Sequence, residues 1–444
     1  MAALPMRSNW VCAPAVMPVA AEVPCHRWAV VMTSTTQAND VMNGDAMTSP
    51  ARSPNPFNPI WVAGFMSGTS LDAVDAAIVL TDGHTVTDLG PATERRYTPE
   101  ERAILQQATD AARQWNWIGP EPRACFDAAM AVLTDTHEQT WRQLLERWEG
   151  PVPELVGVHG QTVLHRRTLP SQPGATRQLL DAASLQARLG VTLAYDFRSA
   201  DISAGGQGAP LAPAYHGALL AALGDRPNAA LNLGGVANIT LRLPDGSLIA
   251  FDTGPANGPL DEWVEAHGHG TYDVDGRIAQ TGRVDQQRLQ ALLDHPYLRQ
   301  AWPKSLDRYD FNRSMVAGLN FADGAATLTA FTAATVAAAL AQLPQMPDHL
   351  IVCGGGRRNP TLMSMLQTAM PRTIVMSAEQ AGWRGDSIEA EAFALLAVRT
   401  QRGLPISWPH TTGVPVPTPG GRLLAAPATT RTDASPARRL DDKA

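Results

Sequence analysis

Cysteine is scarce and scattered in this 444-residue chain. Cys12, Cys25, Cys125 and Cys353 lie far apart and form no C-x-x-C pair, which argues against a zinc site or a disulfide framework and fits a reducing, cytoplasmic setting. A basic excess is also missing. With 35 Lys and Arg against 42 Asp and Glu, the formal net charge is -7, so no general affinity for nucleic acid or an anionic membrane is expected, and any phosphate must be gripped locally. Long uninterrupted apolar runs are absent as well. The most membrane-like stretch, Ala325 to Ala341, carries Thr327, Thr329, Thr332 and Thr335 and places Leu328, Phe331 and Val336 at helical spacing, so it reads as a buried helix. Neither G-x-x-x-x-G-K-[ST] nor an H-R-D catalytic loop occurs, which argues against a P-loop NTPase and a protein-kinase fold.

What the chain does have is apolar mass. At 44% hydrophobic content it can bury large cores, and its length favours more than one domain. Residues 1–56 stand apart: they are rich in Pro, Ala, Met, Ser and Thr, lack sustained periodicity, and run out into Ser53-Pro-Asn-Pro-Phe-Asn-Pro59. They read as a disordered extension or as a start assigned too early, with Met32, Met42 and Met47 as other candidate starts. The mildly apolar Val11 to Val23 is interrupted by Pro14, Pro18 and Glu22, a poor secretion signal. The tail 426–444 is again polar and rich in Pro, Ala and Thr, and reads as frayed.

Between these tails the same pattern opens two halves. Trp61 to Leu80 is an apolar run, a Ser/Gly/Thr turn and a second apolar run; Ala229 to Leu243 repeats the scheme about 165 residues later, suggesting a duplication. Glycine and hydroxyl residues at such tips let backbone N–H groups converge on a phosphate. An ordinary hairpin turn is the other reading of either tip taken alone. A third cluster, Leu350-Ile-Val-Cys-Gly-Gly-Gly-Arg-Arg-Asn-Pro360, reads as strand, glycine turn and helix start, the place where α/β proteins hold nucleotides.

The ordered trio resembles the two phosphate motifs and the adenosine motif of the actin, sugar kinase and Hsp70 ATPase superfamily. Within it, Ser67-Gly-Thr-Ser-Leu-Asp-Ala-Val-Asp75, His159-Gly-Gln-Thr162, Asp196-Phe-Arg198, Gly205-Gly-Gln-Gly-Ala-Pro-Leu211 and Phe251-Asp-Thr-Gly-Pro255 resemble, in order, the anhydro-N-acetylmuramic acid kinase family. The resemblance runs from about Trp61 to about Arg422. It implies an α/β, two-lobed actin-like (ribonuclease H-like) ATPase fold with a nucleotide cleft between duplicated lobes, the first spanning 57–225 and the second 226–425. It also implies the family's reaction: 1,6-anhydro-N-acetylmuramic acid, ATP and water give N-acetylmuramic acid 6-phosphate and ADP, with Mg²⁺ as cofactor and a homodimer as assembly. Another small-sugar or carboxylate kinase of the superfamily, or an actin-like ATP switch without catalysis, are the rival readings; the short tail after Arg422 weighs against a chaperone. Three departures stand out. Ala73 and Ala256 occupy usual glycine positions, and Leu306-Asp307 replaces the usual Thr-Gly after Pro303-Lys-Ser.

Carried over residue by residue, the resemblance makes Asp196 the catalytic base. Asp196 ends the apolar run Val191 to Tyr195, at a strand end where α/β sheets collect ligands; a helix cap or an arginine partner is its plain alternative, and Asp201 is the other candidate base. Gly68, Thr69, Ser70, Leu71, Asp72, Ala73, Val74 and Asp75 form the first ATP tip. Asn232, Gly234, Gly235 and Asn238 form the second, and Gly354, Gly355, Gly356 and Asn359 the nucleoside shelf. His159, Gln161, Thr162, Arg198 and Glu389 are the candidate sugar ligands, although His159 also reads as a satisfied structural histidine and Glu389 as a helix-dipole partner. Asp72, Asp75 and Asp252 are the candidate Mg²⁺ carboxylates.

Overall fold

The structure, a computed structural model, describes residues 57–168, 171–306 and 310–426. The readings of the N-terminal 56 residues, of the tail beyond residue 426 and of Asp307 lie outside these residues.

Two mixed sheets carry the chain. The first contains β1 (Ile60–Ser67), β2 (Ala73–Thr81), β3 (Val86–Arg96), β4 (Leu155–Arg166), β5 (Ala175–Leu179) and β6 (Thr192–Tyr195). The second contains β7 (Asn228–Leu233), β8 (Val236–Arg242), β9 (Leu248–Pro255), β10 (His349–Cys353) and β11 (Ile374–Ser377). A small pair, β12 (Pro405–Ser407) with β13 (Thr418–Pro419), precedes β14 (Arg422–Leu424), which returns to the first sheet beside β6. The strand order β3-β2-β1-β4-β6 recurs as β9-β8-β7-β10-β11, in each case an antiparallel meander whose first strand pairs in parallel with a fourth strand, itself parallel to a fifth. That is the duplicated α/β architecture expected above. The division at 225/226 falls just before β7, while the chain's last described stretch rejoins the first sheet.

Alternation sorts β1 between two cores. Val62 faces one apolar cluster and Ala63 and Phe65 the other, as a central strand covered on both faces requires. One cover is the pair of helices Pro99–Trp115 and Arg123–Glu146; the first opens with a capping box of Thr98 and Glu101. The other cover is the helix Ile388–Gln401, buried nearly all round. It lies directly on the strands because Gly64 and Gly157, register partners across β1 and β4, present no side chain. A methyl on Gly64 would sit 2.0 Å from the carbonyl oxygen of Ala390, and one on Gly157 2.1 Å from that of Phe393. This backbone contact fixes the first turn of the helix, and with it Glu389.

The membrane-like stretch is the helix Phe321–Leu340, long and apolar enough by length and composition to cross a membrane, with 72% of its apolar window buried in the protein. Its threonines are satisfied within the fold: Thr329 Oγ1 donates to the carbonyl of Ala325 at 2.9 Å and Thr332 Oγ1 to that of Ala256 at 3.3 Å.

Candidate active site

A cleft of about 530 Å³ is lined by residues of both sheets, among them Ser70, Asp75, Arg198, Asn232, Gly234, Asn238, Asp252, Gly354, Gly355 and Glu389. Ser70 of the first tip, Gly234 of the second and Gly354 and Gly355 of the third cluster therefore meet on one cavity, while Gly68 and Thr69 stay outside its lining.

The first tip, Gly68 to Asp72, joins β1 to β2. Leu71 has φ +55°, a conformation that costs a bulky residue about 1 kcal/mol or more, and its buried side chain in the first-sheet core holds it there. Leu71 N–H donates to the Gly68 carbonyl at 3.2 Å. The Asp72 carboxylate is engaged locally, accepting from Ser70 Oγ at 2.6 Å and from Ala73 N–H at 3.1 Å. Ala73 and Val74 already belong to β2 and point into the core. Ala73 is absent from the positive-φ residues, so alanine there carries no backbone strain.

The second tip, Gly234 and Gly235, is fastened from behind by the start of the helix Asn257–Ala266. Ala256 N–H and Gly258 N–H donate to the Gly235 carbonyl at 3.1 and 3.2 Å, and Asn257 N–H to that of Gly234 at 2.9 Å. Asn257 Nδ2 adds a bond to the Leu233 carbonyl at 3.0 Å. Ala256 has φ -120°, so this departure too avoids the left-handed region. The glycine turn after β10 packs against the same tip: Gly354 has φ +72°, and a methyl there would lie 2.4 Å from Asn232 Oδ1. Asn359 turns away to cap the helix Pro360–Ala369, accepting from Leu362 N–H at 2.9 Å.

Asp75 and Asp252, one on each sheet, both line the cleft. Burial pushes each carboxyl up to about 7; at Asp75 the nearby Glu94, Asp72, Glu389 and Asp386 add repulsion, whereas at Asp252 a bond from Leu306 N–H opposes the shift. Neither forms an ion pair among the described residues. Two half-buried carboxylates without a cationic partner among the described residues are of the donor type that suits Mg²⁺, which takes few protein ligands and keeps waters. Asp72, locally engaged and outside the cleft lining, suits it less.

Asp196 stands at the end of β6 in the left-handed region, φ +54°. Its carboxylate accepts from Ser199 Oγ at 2.5 Å and lies 3.9 Å from Arg422 Nη1. It is not among the cleft-lining residues, although Arg198, two positions on, is. Asp201 is buried and fully used, accepting from Gly208 N–H at 2.6 Å and from Thr412 Oγ1 at 2.5 Å, so it holds a loop. Of the candidate sugar ligands only Arg198 and Glu389 line the cleft. His159 is buried behind Arg198, Gln161 Nε2 reaches the Gly68 carbonyl at 3.1 Å, and Thr162 Oγ1 accepts from Gln178 at 3.1 Å.

The sequence of this same region settles its kinship. The model of the family described as anhydro-N-acetylmuramic acid kinase matches residues 60–424. The chain belongs to the anhydro-N-acetylmuramic acid kinase family. The Rhizobium rhizogenes protein named anhydro-N-acetylmuramic acid kinase is 52% identical over 371 residues, 83% of this chain and 100% of its own length. A Caulobacter vibrioides protein of the same name is 52% identical over 368 residues, 82% of this chain and 98% of its own. Among solved structures, a glucokinase of Streptomyces griseus in complex with glucose and AMPPNP shows 14% identity and a TM-score of 0.35 over 76% of this chain and 99% of its own, a likeness too remote to bear on activity.

The cleft also holds residues that sequence reasoning passed over. Arg357, directly after the glycine turn, is fixed by Glu379 and Asp386 at 2.8 Å each; its place beside three glycines was the available signal. His216, buried against Thr240 Oγ1 at 2.9 Å, lies in a helix with no local motif. Ser305 follows the Pro303-Lys304 pair that the family pattern already marks.

Proposed function

We propose that this protein is an ATP-dependent kinase converting 1,6-anhydro-N-acetylmuramic acid, ATP and water to N-acetylmuramic acid 6-phosphate and ADP. The observation that carries this reading is the family match over residues 60–424, within which every cleft-lining residue falls. Two glycine tips and a glycine turn on one cavity suit a triphosphate, and Arg198 and Glu389 offer polar contacts to a sugar.

In this reading Asp196 takes a proton from water as the water oxygen bonds to the anomeric carbon. The bond from that carbon to the bridging oxygen breaks, and the freed oxygen takes the γ-phosphoryl group as ADP leaves. The strained backbone at Asp196 is consistent with such a role. Asp75 and Asp252 are the residues that would hold Mg²⁺, which when bound supplies charge neutralisation at the phosphates. The reading carries a cytoplasmic location, where ATP is supplied, and, from the family resemblance, a homodimer.

A coupled ADP assay with purified anhydro-sugar and a panel of other small sugars is the direct test. Run in heavy-oxygen water with rapid product isolation, it should place label on the C1 hydroxyl and none in the phosphate. Label in the phosphate means that water attacked ATP, and ADP release only with a different sugar reassigns the substrate.

A further inference from the structure

Two arginines line the cleft and are held in opposite ways. Arg357 is paired with two carboxylates, Glu379 and Asp386. Arg198 is hydrogen-bonded to none: its Nε donates to Nε2 of His159 at 3.0 Å, and its Nη1 donates to the carbonyl of Gly208 at 2.7 Å. Glu389 and Asp201 act on it only through space, and the Asp201 carboxylate is occupied with Gly208 N–H and Thr412. Both of Arg198's acceptors are therefore uncharged, and Asp201 steadies Gly208, the residue that supplies one of them.

Arg198 Nε can only donate, so His159 Nε2 accepts and the ring's one proton is assigned to Nδ1, a buried nitrogen for which the structure shows no hydrogen bond. Burial and the adjacent guanidinium push its pKa well below the usual histidine value, so the ring stays a neutral acceptor. Phe393, with ring centroids 4.8 Å away, sets its plane. A carboxylate in this position would orient Arg198 equally well but would cancel its charge.

We propose that His159 is a positioning residue that aims Arg198 at an anionic oxygen of the substrates while leaving the guanidinium charge uncancelled. This rests on the kinase reading above, and the anionic oxygen has two sources in that reaction, the sugar carboxylate and the γ-phosphate of ATP.

The test compares His159→Gln, which keeps a neutral acceptor, with His159→Glu, which supplies a charged one, and His159→Phe, which supplies none. His159→Gln should stay within about fivefold of the parent in kcat/KM, while His159→Glu and His159→Phe lose about tenfold or more. A rise in KM for the anhydro-sugar places the anion on its carboxylate; a rise in KM for ATP places it on the phosphate. Equal losses in all three variants, or an unimpaired His159→Glu, overturn the proposal. Imidazole ¹⁵N spectra of the parent protein give a readout that needs neither turnover nor stable variants: a neutral Nδ1–H tautomer is expected at neutral pH, and a charged ring or the Nε2–H tautomer there overturns the proposal. If the parent makes no ADP with the anhydro-sugar, the kinase reading fails while the spectra still judge the arginine contact.

Discussion

The two glycine-tipped hairpins follow one scheme and are fastened by different means. The tip at Gly68 to Asp72 is held by its own short turn, by the Leu71 side chain in the core, by one main-chain bond from Tyr97 N–H to the Asp72 carbonyl at 2.9 Å, and by two side chains from elsewhere: Gln161 on the Gly68 carbonyl and Arg102 on that of Ser70 at 3.5 Å. The tip at Gly234 and Gly235 is tied by three main-chain N–H groups and one amide from the start of the next helix. Main-chain anchors from a helix start do not swing, whereas side-chain anchors open locally at low cost. The glycines of the second tip are thus the fixed wall of the cleft, whereas the first tip is tied by main chain only at Asp72 and is the more adjustable wall between Gly68 and Ser70. The strand ends differ too. β6 leads directly into Asp196, whereas its topological counterpart β11 ends at Ser377 followed by Ala378, so the acid directly after the strand occurs on one side only.

The sharpest break of that comparison is at Asp196. Asp196→Asn should lower turnover by about a hundredfold or more, the low end of what a positioned general base supplies, with ATP binding retained by calorimetry. Near-normal turnover would leave the one-sided acid without a catalytic role.

Next in size is a pair of glycines. Gly354→Ala should cost about 2–4 kcal/mol in urea denaturation, since the position has φ +72° and a methyl would lie 2.7 Å from the Leu233 carbonyl. Gly68→Ala should cost less than about 1 kcal/mol, because its nearest obstacle is Ser70 Oγ at 3.3 Å. Equal costs would show that the glycine turn after β10, packed against the second tip, tolerates a side chain as readily as the first tip does.

How far this was legible in the sequence follows from the range of the contacts involved. Both hairpins, the buried threonine-bearing helix and the strand end at Asp196 follow from local patterns with period 2 or 3.6. The return of β14 to the first sheet beside β6 has no local signal, because an edge strand of three residues is chosen by its partner. In the site, the glycine clusters were visible, but the facing of His159 and Gln161 was not. β4 continues through both of them, and whether a strand residue meets a ligand or a neighbouring side chain depends on contacts such as Arg198 to His159 and Gln161 to Gly68, across 39 and 93 positions. Whether alanine at 73 and 256 strains the backbone likewise needed the angles themselves, which composition does not carry.

A third test sets Asp75 against Asp252. A carboxyl whose pKa in the fold lies near 7 binds its proton more tightly folded than unfolded. The stability it contributes is present below the ordinary carboxylate range, near pH 4, and is lost as pH rises through about 7. In the presence of chelator, the urea midpoint should therefore fall between about pH 5 and 8, and Asp252→Asn should flatten part of that fall. Asp75→Asn should flatten its own share and also ease the repulsion on Glu389, whose carboxyl burial already holds high. No change of slope in either variant would mean that these acids ionise as freely in the fold as outside it.

The smallest effect on the fold belongs to Gly234, and its interest is that fold and function should separate there. The position lines the cleft, lies outside the left-handed region, and has nothing nearer to an added methyl than the Val236 carbonyl at 3.7 Å. Packing alone therefore gives glycine no reason to be there, and Gly234→Ala should shift stability by less than about 0.5 kcal/mol. If the fixed tip is the wall against which a triphosphate rests, the methyl stands where a phosphate must approach the backbone N–H groups. KM for ATP should then rise by about three- to tenfold with KM for the sugar unchanged. An unchanged KM for ATP would show that the phosphates do not touch this tip. A lowered melting temperature would show instead that the glycine serves the fold, and the contrast between a fixed and an adjustable wall would have to be carried by the first tip alone.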